Sequence, residues 1–207
     1  MNKKIYGIIL AAGYSSRMSE FKPLAKYKDE YFIVTILKKL SFFCEKIFII
    51  TGFNAELLEN EIKNTLKETD LLKKISFVFN PNFSKGMFSS VQTAAKELLN
   101  IANHYDYVLL HLVDQPQISL TVYELLVKSS QQSENTVIIP SFQHKSGHPI
   151  LLKKPILQKI SNSETNETLR NILEKEKKNT LHVNVADSAI IKDANTDNEL
   201  KNLNNQS

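Results

Sequence analysis

The chain has 207 residues, a net charge of +4, 42% hydrophobic and 23% charged residues, and one cysteine. That length holds one α/β domain with a substantial core and demands no second. A lone thiol excludes an internal disulfide and fits a reducing, cytoplasmic compartment, and no apolar run approaches the ~20 residues of a membrane span. No arginine-rich run or aromatic–basic interleaving marks a nucleic-acid surface, and acidic small molecules account for the mild positive charge equally well.

The first predicted element is Ile5 to Leu10, a continuous apolar run of the length of a strand buried on both faces. It breaks into Ala11-Ala12-Gly13, three residues with almost no side chain, followed by Tyr14, Ser15, Ser16, Arg17 and, further on, Lys22. A strand ending in so small a turn leaves N–H groups that a phosphate can approach. Arg17 could grip that phosphate bidentately and Lys22 act as a point charge. Three rival readings compete. Lys3-Lys4 before an apolar run resembles a secretory leader, but cleavage there would discard the first strand and its loop. Gly13 to Arg17 begins like a nucleophile elbow on Ser15 and lacks the closing glycine. Neither GxGxxG nor GxxxxGK[ST] occurs, so the dinucleotide and Walker fingerprints are missing. An ordinary strand and turn leaves the hydroxyl–Arg–Lys cluster unexplained.

Downstream, apolar runs and helical stripes alternate. Helices are predicted over Phe32–Phe43, Ala55–Leu66, Ser89–Ala102, Val122–Ser129, Lys154–Ile160 and Thr168–Glu174 from apolar positions at a 3.6-residue period. Strands are predicted over Lys46–Thr51, Ile75–Asn80, Tyr107–Val113, Val137–Pro140, Pro149–Leu152 and Thr180–Val185. Asn162–Asn166 reads as a loop and Asp197–Leu203 as a last helix, with Asn195 or Thr196 as its N-cap. Residues 1–201 form one domain on this reading, and 202–207 a disordered tail. The alternation predicts a single-domain, three-layer α/β/α fold around a mostly parallel sheet, with ligands beyond the carboxyl ends of the strands.

Asp114 follows directly on a predicted strand, where a carboxylate can bind Mg²⁺ together with phosphate oxygens and water; the alternative is a turn cap. Asp193 or Asn195 could supply a second oxygen. In the loop from Asn80 to Ser90, Ser89 or Ser90 reads either as a helix N-cap or as a hydroxyl for a base or ribose. His144 and His148 have an H-x₃-H spacing without the glutamate of a zinc protease, so His148 is better placed in a turn near an acceptor. His111 reads as a satisfied core residue, and Asp187 and Arg170 as acceptor contacts or solvated charge.

Several of these pieces together resemble one family. LAAGYSSRMSEFK resembles the LAAG-x-S-x-R-M-G-x-x-K signature of the nucleotidyltransferases that activate molybdopterin, in particular the molybdenum cofactor cytidylyltransferases. LVDQP at Leu112–Pro116 is similar to the family's L-x-D-x-P metal motif, Asn80…Gly86-Met87-x-Ser89-Ser90 to its N…GM-x-S-S segment, Gly147-His148-Pro149 to its GHP turn, and DANTD at Asp193–Asp197 to its late D-x-D/N-T motif. Ser19 stands where the family usually has glycine, Asn195 where aspartate is common, and Asn162…Arg170 lacks the glycine of the acceptor segment.

The resemblance implies a Rossmann-like nucleotidyltransferase fold of the GT-A type. It implies that CMP passes from CTP to a phosphorylated acceptor, molybdopterin, with Mg²⁺, releasing pyrophosphate; a molybdoenzyme would be a client. Arg17, Lys22 and Asp114 become catalytic. Leu10, Ala11, Ala12, Gly13, Ser15, Asn80, Gly86, Ser89 and Ser90 become nucleotide-binding, and Gly147, His148 and Arg170 acceptor-binding. Asp114 with Asn195 or Asp193 would hold the metal. A guanylyl or sugar-phosphate nucleotidyltransferase, a non-catalytic nucleotide or cofactor chaperone, and a hydrolase using Ser15 are the alternatives.

Overall fold

Successive residues of a strand face opposite ways, and in β1 (Ile5–Leu10) both faces are covered. Ile5 and Ile9 enter one apolar cluster, while Tyr6, Ile8 and Leu10 enter another. The structure, a computed structural model, describes residues 3–101, 105–164 and 167–205. In chain order the elements after β1 are β2 (Lys26–Tyr27), β3 (Glu30–Tyr31), α1 (Phe32–Ser41), β4 (Lys46–Thr51), α2 (Ala55–Leu66), β5 (Ile75–Phe79), α3 (Met87–Asn100) and β6 (Tyr107–Leu112). Then come α4 (Leu120–Gln132), β7 (Val137–Phe142), β8 (Lys145–Ser146), β9 (Ile150–Leu152), α5 (Lys154–Asn162), α6 (Leu169–Lys175), β10 (Thr180–Asn184) and α7 (Asp197–Asn205).

The main sheet runs β10-β7-β9-β6-β1-β4-β5, with β8 beside β7. All neighbours along this order are parallel except β9, which is antiparallel to both β6 and β7. Buried stripes of α1, α2 and α4 cover one face of the sheet, and those of α3, α5 and α6 the other. The expected three-layer α/β/α arrangement is therefore present. From β1 the chain passes to β4 on one side, while β6 pairs on the other, in register Leu10↔Leu112. The strand order reverses between β1 and β6, which opens a crevice beyond their carboxyl ends. β1 is central in the sheet, paired with β4 on one side and β6 on the other.

Several boundaries differ from the sequence-based expectation. The β2–β3 hairpin was not anticipated: its turn residues Lys28 and Asp29 both have positive φ (49° and 66°) without the glycine that usually signals such a turn. Helix α3 starts at Met87, with Gly86 at φ 96° as its N-cap, so neither Ser89 nor Ser90 caps it. Strand β7 continues through Pro140, which is tolerated because pairing with β9 has ended at Ile138. Ala102, placed in a helix by its periodicity, lies outside the described residues, as does the end of the Asn162–Asn166 loop. Asn162 itself closes α5.

The fraying expected from Asn202 gives way to helix through Asn205. Leu200 and Leu203 of α7 pack on Ala25, Phe32 and Ala194. Thr196 Oγ1 accepts from the Glu199 N–H, and Glu199 accepts from the Asn195 N–H, which caps the helix start. Among the described residues no helix is long and apolar enough to cross a membrane.

Candidate active site

The crevice at the strand reversal holds a cavity of about 290 Å³. Its walls come from the loop after β1 (Leu10 to Ser15), from Lys22, from Gly86 and Ser90 at the start of α3, and from Asp114 after β6. A Cβ on Gly13 would meet nothing within 4 Å, so packing within the chain does not require glycine there. Among the described residues, the N–H groups of Gly13 to Arg17 have no protein acceptor. Ala11 departs from the expectation: its N–H is spent on Ile50 O at 3.0 Å, in continuation of the sheet, and cannot hold a phosphate. Gly52 supports the loop from below, where a Cβ would come within 2.7 Å of Ala12 O and 2.6 Å of Phe83 Cβ.

Asp114 and Lys22, 92 residues apart, form an ion pair at 3.3 Å on the cavity wall, and Lys22 Nζ also donates to Asn195 Oδ1 at 2.7 Å. Asp114 Oδ1 is buried without a hydrogen-bond partner. Burial raises the Asp114 pKa, Lys22 opposes that rise, and Asp193 adds to it. Asp193 faces the other way: its Oδ1 accepts from Gln115 Nε2 at 2.9 Å and its Oδ2 from Asn195 Nδ2 at 3.4 Å. Of the two residues left open by the sequence, Asn195 therefore reaches the Asp114 corner and Asp193 braces it. The orphaned carboxylate oxygen beside an amide carbonyl suits a hard divalent cation. No three His, Cys, Asp or Glu side chains gather for a metal among the described residues, so phosphate and water oxygens would complete its shell.

Arg17, Asn80 and Ser89 are placed differently from the expectation, whereas Ser15 lies on the wall. Arg17 is exposed and is not part of the cavity wall. Ser15, at φ 58°, lines the cavity and its Oγ accepts from the Lys22 N–H, while residues 16–20 are not part of the wall. Glu199, whose pKa is lowered first by the Asn195 N–H and then by Thr196, also feels the Arg17 charge. Asn80 is fully buried behind the wall, where its Nδ2 donates to Ser89 Oγ and Ser90 Oγ and its Oδ1 accepts from Asn82 N. Ser89 bonds to Asn82 O and Gly86 O, so only Ser90 of this trio faces the cavity.

A second cavity of about 580 Å³ adjoins the first, and Leu10, Met87 and Leu112 belong to both. Gly147, His148 and Arg170 all line it, together with Ser146, Lys177 and His182. A Cβ on Gly147 would lie 2.1 Å from Ile190 O, so glycine is what lets these two backbone segments touch. Burial pushes the His148 pKa down to about 4, which keeps the ring neutral at pH 7, with Asp193 acting in the opposite sense. Arg170 is engaged with Glu174 at 3.2 Å on the exposed rim. His111 is indeed internal, bonded to Tyr123 OH at 2.7 Å and Leu112 O at 2.6 Å. Asp187 caps a turn through Ala189 N and holds Ser119 N, away from both cavities. The elbow reading of Ser15 lacks its helix, since the loop leads to the β2–β3 hairpin.

Sequence reasoning missed Gln115, which ties the loop after β6 to the Asp193 loop, although it lies inside the Leu112–Pro116 segment already singled out. It also missed the aromatic rim of the first cavity, where Tyr14 sits 5.2 Å from both Phe53 and Phe83. Nothing in the spacing of these three residues announces that they meet.

A doubly covered, mostly parallel sheet with an Asp–Lys pair beside a small-residue loop at its reversal point is the organisation of a nucleotidyltransferase. Residues 7–181 match the MobA-like NTP transferase domain, and the chain belongs to that family. It is 27% identical over 150 residues to the molybdenum cofactor cytidylyltransferase of Escherichia coli (strain K12), covering 72% of this chain and 70% of that protein. Identity to the probable molybdenum cofactor guanylyltransferase of Clostridium perfringens (strain 13 / Type A) is 32% over 139 residues, covering 66% of this chain and 59% of that protein. The manganese complex of Rv0371C from Mycobacterium tuberculosis H37Rv superposes with a TM-score of 0.75 at 16% identity, covering 99% of this chain and 100% of that one. At that identity the likeness concerns the fold alone.

Proposed function

We propose that the chain transfers CMP from CTP to a phosphate-bearing acceptor, molybdopterin cofactor, with release of pyrophosphate. The observation that carries this reading is the pair of adjoining cavities that share Leu10, Met87 and Leu112, with the Lys22–Asp114 pair on the wall of the smaller. A triphosphate fits the smaller one, against the free N–H groups after Ala12, and the larger one offers room for a ring system with a polar rim. An acceptor phosphate oxygen attacks the α-phosphorus; the new P–O bond forms as the bond to the β-phosphate oxygen breaks, and pyrophosphate leaves. The acceptor phosphate is already ionised, so no strong general base is needed, in keeping with a neutral His148. Positioning and charge neutralisation supply the rate.

Lys22 neutralises charge developing on the leaving pyrophosphate, while Ser90 and the Leu10–Ala11 backbone bound the base. Asp114 and Asn195 would hold Mg²⁺, which supplies Lewis-acid stabilisation of the phosphoryl oxygens when bound. Arg17 stays outside the wall and would reach a triphosphate only if residues 14–20 turn inward. A molybdoenzyme client and a cytoplasmic location accompany this reading, the latter suiting the free, buried thiol of Cys44.

The test pairs each of the four nucleoside triphosphates with molybdopterin and sugar-phosphate acceptors and scores pyrophosphate. CTP with molybdopterin is expected to lead, and Lys22→Ala to lower turnover by at least a hundredfold with the fold intact. The guanylyltransferase likeness makes GTP the second reading. If no pair of substrates releases pyrophosphate, the chain is not acting as this enzyme.

A further inference from the structure

Lys22 Nζ lies 2.7 Å from Asn195 Oδ1 and 3.3 Å from Asp114 Oδ2. These residues are the ones given above to a divalent cation, and the inference rests on that reading. A cation at ~2.1 Å from such oxygens and an ammonium bonded to both would place like charges within a few ångströms. The Lys22 and Asp114 side chains are only 14% and 19% exposed, so water screens the repulsion weakly. One of the two must leave.

We infer that Lys22 is an internal stand-in for the metal. Its ammonium neutralises Asp114 until a divalent cation takes the two oxygens, and is then released into the adjoining cavity to meet a phosphate. Asp114 Oδ1 has no partner, so the ammonium satisfies only part of the carboxylate and leaves an oxygen ready for a cation. Asn195 is held in place through its N–H to Glu199 and its Nδ2 to Asp193, which keeps Oδ1 turned toward Lys22. Lys22 already lines the cavity, and its backbone N–H is pinned on Ser15 Oγ, so release needs only side-chain torsions. Cation and lysine are therefore antagonists in the nucleotide-free protein. A triphosphate relieves the conflict by accepting the ammonium, so part of the coupling between metal and nucleotide runs through this one side chain.

The test titrates Mn²⁺ into the full chain without nucleotide, following free Mn²⁺ by electron paramagnetic resonance. Lys22→Met is expected to bind Mn²⁺ at least tenfold more tightly than the unsubstituted protein. Arg17→Met, which removes a positive charge from the same loop without freeing the two oxygens, should change affinity by less than twofold, and Asp114→Asn should abolish binding. In unsubstituted protein labelled with ¹³C-lysine, the Lys22 Cε resonance should move on adding Mg²⁺ alone and saturate with cation binding. Unchanged or weaker Mn²⁺ binding by Lys22→Met, no Mn²⁺ binding by either protein, or a stationary Lys22 resonance while cation binds overturns the exchange. Should that happen while the unsubstituted chain still releases pyrophosphate and Asp114→Asn still does not, the transferase reading survives without it.

Discussion

Asp114 is held with its carboxyl above the usual aspartate range; burial is the main cause, opposed by Lys22 and reinforced by Asp193. A raised carboxyl pKa means that the folded chain keeps its proton to higher pH than the unfolded chain does. Stability from this group is present at low pH, is lost as pH rises from the unfolded value of about 4 through the folded one, and stays lost at neutrality. Asp114→Asn removes the buried charge and keeps one acceptor, the amide oxygen, for Lys22. We expect it to raise Tm at pH 7.5, by roughly 2–4 °C for each kcal/mol regained in a chain of this size, while pyrophosphate release falls by orders of magnitude. A lowered Tm in thermal unfolding would show that the Lys22 pair outweighs the burial. That trade between fold and chemistry is what distinguishes a carboxylate kept for a ligand from one that merely caps a turn.

Among the elements, the loop after β1 and the strand end beneath it respond oppositely to the same substitution. Gly13 faces open space, so Gly13→Ala should leave Tm within about a degree yet, on the proposed reading, weaken CTP binding by tenfold or more in calorimetry, since the added methyl would stand in the path of the phosphate. Gly52 lies against Ala12 O and Phe83, so Gly52→Ala should cost roughly 1–3 kcal/mol of stability by overpacking. Much at this scale was legible in the letters. Ile5–Leu10, Lys46–Thr51 and Ala55–Leu66 form as expected because burial on two faces or one stripe writes itself directly into residue order. The start of α3 was not legible. Ser89 and Ser90 look like caps, but their hydroxyls are taken by Asn80, Asn82 and Gly86, and a positive-φ glycine ends up as the cap.

For the molecule as a whole, two histidines tie stability to acid. Burial pushes His111 down to about 3 and His148 to about 4. Both fall below their unfolded value near 6.5, so the unfolded chain binds more protons between those limits and stability falls as pH drops from 6.5 toward 4. His111→Gln keeps a hydrogen-bonding side chain beside Tyr123 and does not titrate. The plot of Tm against pH should then flatten over that interval; an unaltered slope would place the acid sensitivity elsewhere. His148 lines the larger cavity, while His111 is buried against Tyr123 of α4.

The sequence by itself determined the layers, since periodicity and run length are local and carry burial with them. It also determined the kinds of group on offer: a small-residue loop, a lysine, a carboxylate after a strand. Only the tertiary structure decided which of them meet. Lys22, Asp114 and Asn195 converge across 92 and 173 residues of chain, whereas Arg17, five residues from Lys22, does not line the cavity. Ala11 gives its N–H to β4 and Asn80 turns behind the wall. The reason is geometric: which N–H is spent, and which way a loop side chain faces, depends on partners supplied by distant strands, and no window of adjacent residues contains them.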